Sequence, residues 1–530
     1  MSESVTETRD SELEQANQRA EEMISSLDHP GANQLLEEIL RTPFPPGPEL
    51  NQARLLLGET SLVIGRWERA QRELERLAEA KPNPEILIRC RLGLGELYSM
   101  RGEPDQARQH LSQALQCAEQ SNLERWIVLC QVRLGALAGQ TGELDTAKNL
   151  LEKAEKVCSQ KREQRDWVEI GAALDTQWGL YHFRLSQNRA AEEKLEGALE
   201  ALRNHHLCSL EEPHILRYLG VMASLKRENK RSLQYHLEAL DLYGHAGNRY
   251  GQAKVYDSIG RTLQGANRLD EAIFTFKKAE SLCRRLGAHA ELATLYGKLG
   301  QVAMLRDDME GAIRYFQKDL ELSNRYRNYY ALGYSYRNLG RCLMQVGRYP
   351  EAVVNLRESL GLFQYVEDWL NLARVYMDLG FAHAKAGEIK EAAEVSQRAD
   401  ALFKEHNLHR EAPFLRCLEG IVARSQGNFD EAERNFRECI DQLQGKSSGG
   451  WLAEAYYEMG ILYREFKHVL KAVDAFKAAV RTARAAGLNR QVGRFLQELE
   501  DLDELELFRV WMEDLPAVGD SSEGPPSGEQ

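Results

Sequence analysis

Eleven glycines along this chain each stand twelve residues before an alanine, or in one copy a serine: Gly58, Gly95, Gly135, Gly179, Gly220, Gly260, Gly300, Gly340, Gly380, Gly420 and Gly460. The last seven follow one another at intervals of 40 residues. A fixed period of this length means one supersecondary unit copied and stacked, and it decides the fold before any other reading. A single copy cannot bury its own apolar face. Neighbours share a core, and the stack offers a long surface rather than one deep pocket.

Within a copy the pattern is that of two antiparallel helices. Tyr256, Tyr296, Tyr336, Tyr376 and Tyr456 stand four before the glycine, and Leu219, Leu299, Leu339 and Leu379 directly before it. Phe276, Phe316, Phe436 and Phe476 stand sixteen after it. Small Gly and Ala let two helix backbones approach while the aromatics fill the space beside them. Gly65, Gly102, Gly142, Gly347, Gly387 and Gly427, with Asn267 and Asp307 in two further copies, lie seven after the marker glycine. These residue types accept the left-handed conformation that ends a helix. Asp105, Asp145, Asp270 and Asp430 follow, where acids favour a helix N-terminus.

This unit resembles the tetratricopeptide repeat, with its aromatic, Leu-Gly pair, Ala and Phe at fixed offsets. The resemblance runs over roughly residues 50–485. Its 40-residue period is similar to that of spindle-orientation adaptors and of bacterial regulators of the maltose-activator type. It implies an all-α fold, a right-handed superhelical solenoid of about eleven helix-turn-helix repeats. In the adaptors an Asn precedes the Leu-Gly pair; here only Asn338 fits, with Ser258, Lys298, Asp378 and Glu458 at the matching positions.

Ahead of the array, residues 1–48 read as an acidic segment with one or two helices, disordered over 1–10, ending in the Pro-rich breaker Thr42–Pro48. Residues 49–487 are the solenoid, 488–513 a capping helix, and 514–530 a disordered acidic tail. The net charge of −13 is uneven: residues 1–30 carry −6 and residues 498–530 carry −10, leaving the body near +3. Generic nucleic-acid binding needs a concentrated basic field and is not expected. No run of 18 apolar residues exists, so no membrane insertion is expected. Nine scattered cysteines without a C-x-x-C pair suit buried thiols in a reducing cytoplasm.

By the same resemblance, the first helix of each copy lines the concave side. Positions six and three before the marker glycine, and one and four after it, then face the groove. From the fifth copy onward these and adjacent positions give Arg217, Lys254, Arg261, Tyr334, Arg337, Asn338, Arg341, Arg374, Phe381, Phe414, Arg424, Tyr457 and Arg464, with Asp257 and Glu454 as the acids. Earlier copies give Leu55, Leu62, Leu92, Leu129, Val132, Leu180 and Phe183. Arginine's planar fork suits carboxylates. The expected ligand is therefore a protein or peptide segment with acids and a few large apolar anchors. The expected role is a non-catalytic scaffold or adaptor; homo-oligomerisation through terminal repeats stays open. The alternative is a ligand- or peptide-responsive sensor controlling a kinase, GTPase or transcription factor. Gly445-Lys446-Ser447 lacks the glycine of a phosphate loop, and His406 with His409 has no metal-ligand neighbours, so neither cofactor nor metal is expected.

Overall fold

The computed structural model describes residues 2–80, 82–325, 329–408, 412–445 and 449–501. Among them the only regular structure is helical: 25 helices and no strand. Eleven consecutive pairs, from Pro48–Val63 with Trp67–Glu79 to Gly449–Glu465 with Val469–Ala485, each carry a marker glycine in the first helix. The chain is an all-α solenoid of roughly a dozen helix pairs, since Ser2–Ser25 and His29–Ile39 form one more ahead of the array. The disordered start expected over 1–10 is instead, from Ser2, the beginning of Ser2–Ser25, for no Gly or Pro interrupts the chain before Pro30. Of the expected cap, Asn489–Glu500 is helical; the tail expected over 514–530 lies outside the described residues.

The marker glycines are where the two helices of a pair touch. A Cβ added at Gly179 or Gly340 would lie 3.1 or 3.3 Å from the carbonyl oxygen of the alanine twelve residues on. At Gly260, Gly420 and Gly460 it would lie 2.5–2.6 Å from the ring of Phe276, Phe436 or Phe476. Those rings are fully buried, so they have nowhere to move. The intra-pair turns are left-handed at all eight predicted positions, and also at Ser186, Arg227 and Lys467, which carry no glycine signal.

The chain divides into two compact units, Met1–Val302 with Glu321–Arg327, and Ala303–Leu320 with Asn328–Gln530. Each curls until its ends meet. In unit 1 Leu286 packs onto Gly65, Pro30 and Ile64 onto Gly247, and the buried Trp67 sets its ring edge-on to Tyr250 with centroids 5.8 Å apart. In unit 2 the Arg490 amide donates to Asp307 Oδ2 at 3.1 Å, 183 residues away.

Candidate functional site on the first helices

In unit 1 the first helices carry a chain of charged side chains running from repeat to repeat. Arg133 reaches Glu96 at 3.0 Å and Glu211 at 3.1 Å. Glu211 is buried, and burial alone would raise its carboxyl; Arg133 and His214 outweigh that and hold it down to about 2. Lys254 reaches Glu291 at 3.3 Å, and Lys298 donates to Asp257 at 2.5 Å, with Arg261 3.7 Å from the same carboxylate. Arg217 differs. It is 6 % exposed, makes no ion pair, and lies 3.9 Å over the Tyr218 ring with its Nε unpartnered. Arg184, exposed at the end of Arg165–Arg184, also pairs with no carboxylate among the described residues. Burial alone would raise the Tyr218 phenol; Arg217, Lys254 and Arg184 outweigh it and hold it below the usual tyrosine range.

In unit 2 most candidate cations are already matched. Arg337 Nε donates to Asp378 at 2.6 Å, and Asp378 is only 2 % exposed. Arg424 donates to Glu465 at 2.6 Å and to Glu458 at 3.1 Å. Lys385 bonds the same Glu458, Arg464 bonds Glu498, and Arg494 bonds Glu454. Glu458 is 1 % exposed; burial would raise its carboxyl, but Lys385 and Arg424 hold it below the usual range. Tyr334 accepts from Asn371 at 2.7 Å and turns its ring edge onto Phe363. Asn338 is half-buried. Arg341 and Arg374 both bear electrostatically on Arg337, and Arg341 makes no ion pair or hydrogen bond among the described residues.

Two sequence expectations need correction. Phe381 and Tyr457 do not stand open in a groove: they are 7 % and 8 % exposed and belong to apolar clusters, Phe381 against Trp451 and Tyr457 stacked on Phe495. Phe414 is half-buried against the same Trp451. The early apolar positions Leu55, Leu62, Leu92, Val132 and Leu180 are core. The first helices of the 40-residue repeats pack against the helix on either side, so positions read as facing solvent are shared by neighbours. The second correction is electrostatic: the acids that match the arginines were missed, because Asp378 and Glu458 stand two before the glycine and Glu291, Glu465 and Glu498 at other offsets. His383 is buried and bonded to Glu388 at 2.5 Å. Lys446, Ser447 and His409 lie outside the described residues. No described helix is long and apolar enough to cross a membrane.

Stacked helix pairs with one face of each first helix aligned define a repeat-solenoid protein. Tetratricopeptide-repeat models match residues 291–364 and 333–405, 253–285, and 88–113, so the chain carries tetratricopeptide repeats. No curated protein matches it significantly. Among solved structures it is similar to the apo form of RapI, at 13 % identity and TM-score 0.47 over 52 % of this chain and 98 % of that one. It is also similar to aspartyl phosphate phosphatase F from Bacillus subtilis, at 14 % identity and TM-score 0.47 over 67 % and 93 %. The APC/C hetero-tetramer Cut9-Hcn1 gives 16 % identity and TM-score 0.35 over 87 % and 92 %.

Proposed function

We propose that this chain is a non-catalytic protein-binding scaffold that holds a segment of a partner polypeptide along its first helices, as the 40-residue-repeat adaptors it resembles do. The observation that supports this is the strip of charged and tyrosine side chains recurring from one first helix to the next, Arg133 to Lys298 in unit 1 and Arg337 to Arg494 in unit 2. Such a strip offers a partner many separate polar contacts at fixed spacing. A photo-crosslinking residue tests it, placed at Tyr218 or Arg341 on first helices and at Lys230 or Arg398 on second helices. The reading expects one partner segment captured from the first-helix positions and not from the second-helix ones. Equal capture from both faces would sink it.

One observation favours a second reading, a ligand-responsive regulator. Unit 1 is held curled by a small set of contacts, Leu286 on Gly65 and Trp67 on Tyr250, which a segment lodged inside the curl would strain. The captured segment decides between the two. For a regulator it speeds amide exchange at residues 64–67 and 247–250; for a rigid scaffold it leaves them unchanged or slower.

A further inference from the structure

The Gly220 repeat departs from its neighbours at three positions together. Twelve residues past the marker it has Ser232 where the other ten copies have alanine. Sixteen past, under the marker glycine, it has His236 where Phe276, Phe436 and Phe476 fill the same slot. Three before the marker it has the buried Arg217. Ser232 is satisfied by Thr262 Oγ1 at 3.0 Å. His236 is not: it is 0 % exposed and neither ring nitrogen has a partner. The imidazole feels Arg217, Arg261 and Asp257, and burial with the two arginines pushes it down to about 3, so it adds no charge of its own.

Arg217 is the second unsatisfied group. Its Nε is buried without an acceptor, and among the described residues its outer nitrogens pair with no carboxylate; the polar group beside them is the Tyr218 hydroxyl. They are not among the sealed polar atoms, so they reach open space while the rest of the side chain is enclosed. The neighbouring cations are each matched: Arg133 by Glu96 and Glu211, Lys254 by Glu291, Arg261 and Lys298 by Asp257. Arg217 and Arg184 are left over beside the same phenol, Tyr218. A repeat that packs a polar ring where nine of its ten siblings pack Leu or Phe, and leaves a nearly enclosed guanidinium without a carboxylate, is arranged for something that supplies the missing acceptor.

We propose that Arg217 and Arg184, with the Tyr218 hydroxyl, form the anchoring subsite for a carboxylate of the bound polypeptide segment. The proposal rests on the protein-binding reading above. A guanidinium held 3.9 Å over a ring is fixed in place, and its planar fork can meet the two oxygens of a carboxylate while the exposed Arg184 adds a second cation. The carboxylate comes from an Asp or Glu side chain or from a chain terminus.

The test selects binders to the full-length protein from a random peptide library. Each selected peptide is then compared with its Asp→Asn and Glu→Gln forms and with its C-terminal amide. One of these changes is expected to weaken binding roughly 10- to 100-fold, and which one identifies the source of the carboxylate. Arg184→Gln, at an exposed position, is expected to lose part of that factor, and Arg217→Gln most of it. In Arg217→Gln the acid-to-amide change should cost nothing further, which a merely structural arginine would not produce. Melting curves of both variants confirm that they fold. Peptides that bind but ignore both arginines, or whose acid and arginine effects simply add, overturn the subsite alone. A protein that selects no peptide overturns the protein-binding reading and the subsite with it.

Discussion

The two units solve the same electrostatic problem in opposite ways. Unit 2 closes its first-helix face with its own carboxylates: Asp378, Glu454, Glu458, Glu465 and Glu498 take up Arg337, Lys385, Arg424, Arg464 and Arg494. Unit 1 pairs Arg133, Lys254, Arg261 and Lys298 in the same manner, yet leaves Arg184 and Arg217 unmatched around Tyr218. The difference is one of enclosure: the unpaired Arg341 of unit 2 is half-buried, whereas unit 1 leaves the nearly enclosed Arg217 without a carboxylate. Matched pairs fix the spacing of neighbouring helices; an unmatched guanidinium is available to a ligand. The sharpest way to break the comparison is to give unit 2 the defect unit 1 has. Glu458→Ala strips the carboxylate shared by Lys385 and Arg424 and leaves both cations facing a buried gap. The expected cost is about 3 kcal/mol, at the low end for a broken buried pair because Lys385 can turn to water. Thermal unfolding followed together with hydrogen exchange in Trp369–Lys385 and Gly449–Glu465 checks it. A loss under ~1 kcal/mol would mean that the network is not what holds these helices in place.

The next effect runs the other way, in unit 1. His236→Phe restores the slot to the residue found at 276, 436 and 476 and removes two unpartnered nitrogens. The space is comparable: the added Cβ lies 2.4 Å from His236 at Gly220 and 2.5 Å from Phe276 at Gly260. A gain of about 1–2 kcal/mol near neutral pH is expected. The gain depends on pH with a fixed sign. Burial beside Arg217 and Arg261 pushes the folded imidazole down to about 3, against 6.5 for an ordinary histidine. The unfolded chain therefore takes up a proton that the folded chain refuses as pH falls below 6.5, and the native protein loses stability from there toward pH 3. His29, held down to about 4 chiefly by burial, acts in the same direction, and Glu211, at about 2, adds its loss only below pH 4.5. The advantage of His236→Phe should thus widen by about 2 kcal/mol between pH 6.5 and 5, at ~1.4 kcal/mol per pH unit. Exchange rates in Glu211–Leu225 measured across that window test it; a pH-independent gain would mean that His236 is solvated in solution.

The repeat made the helices, their pairing and eight of the turns legible, because close approach at a glycine and left-handed geometry after it each demand a residue type. The turns at Ser186, Arg227 and Lys467 were not legible, since tertiary packing imposes the conformation on residues that do not prefer it. The face of the first helix was read one step too simply. Five of its contacts with the next first helix recur at an offset of 41 residues: Asp257 with Lys298, Arg337 with Asp378, Arg424 with Glu465, Tyr457 with Glu498, and Tyr250 with Glu291. That offset is one period plus one, the stagger of adjacent helices in the stack. It accounts for Arg337 and Arg424, whereas Arg464 and Arg494 find their acids at offsets of 34 and 40; at 41, Arg217 meets no acid. The residue 41 beyond Arg217 is Ser258 and the one 41 before it is Thr176. Positions from Phe381 to Tyr457 failed for a related reason: apolar residues on that face are drawn between helices rather than left in the groove.

Arg341, half-buried and without an ion pair or hydrogen bond among the described residues, gives the smallest and most discriminating prediction. Arg337→Glu sets a carboxylate against the buried Asp378 and should destabilise unit 2. Arg341→Glu breaks no pair and relieves the pressure that Arg341 exerts on Arg337, so its stability should stay within ~0.5 kcal/mol of the parent. If the open anion site belongs to unit 1, peptides selected on the parent should bind Arg341→Glu with unchanged affinity. They should lose affinity to Arg217→Gln in the same assay. A peptide that loses affinity for Arg341→Glu, though that variant melts like the parent, yet tolerates Arg217→Gln, would transfer the anion site to the surroundings of Arg341 and reverse the assignment of the two units.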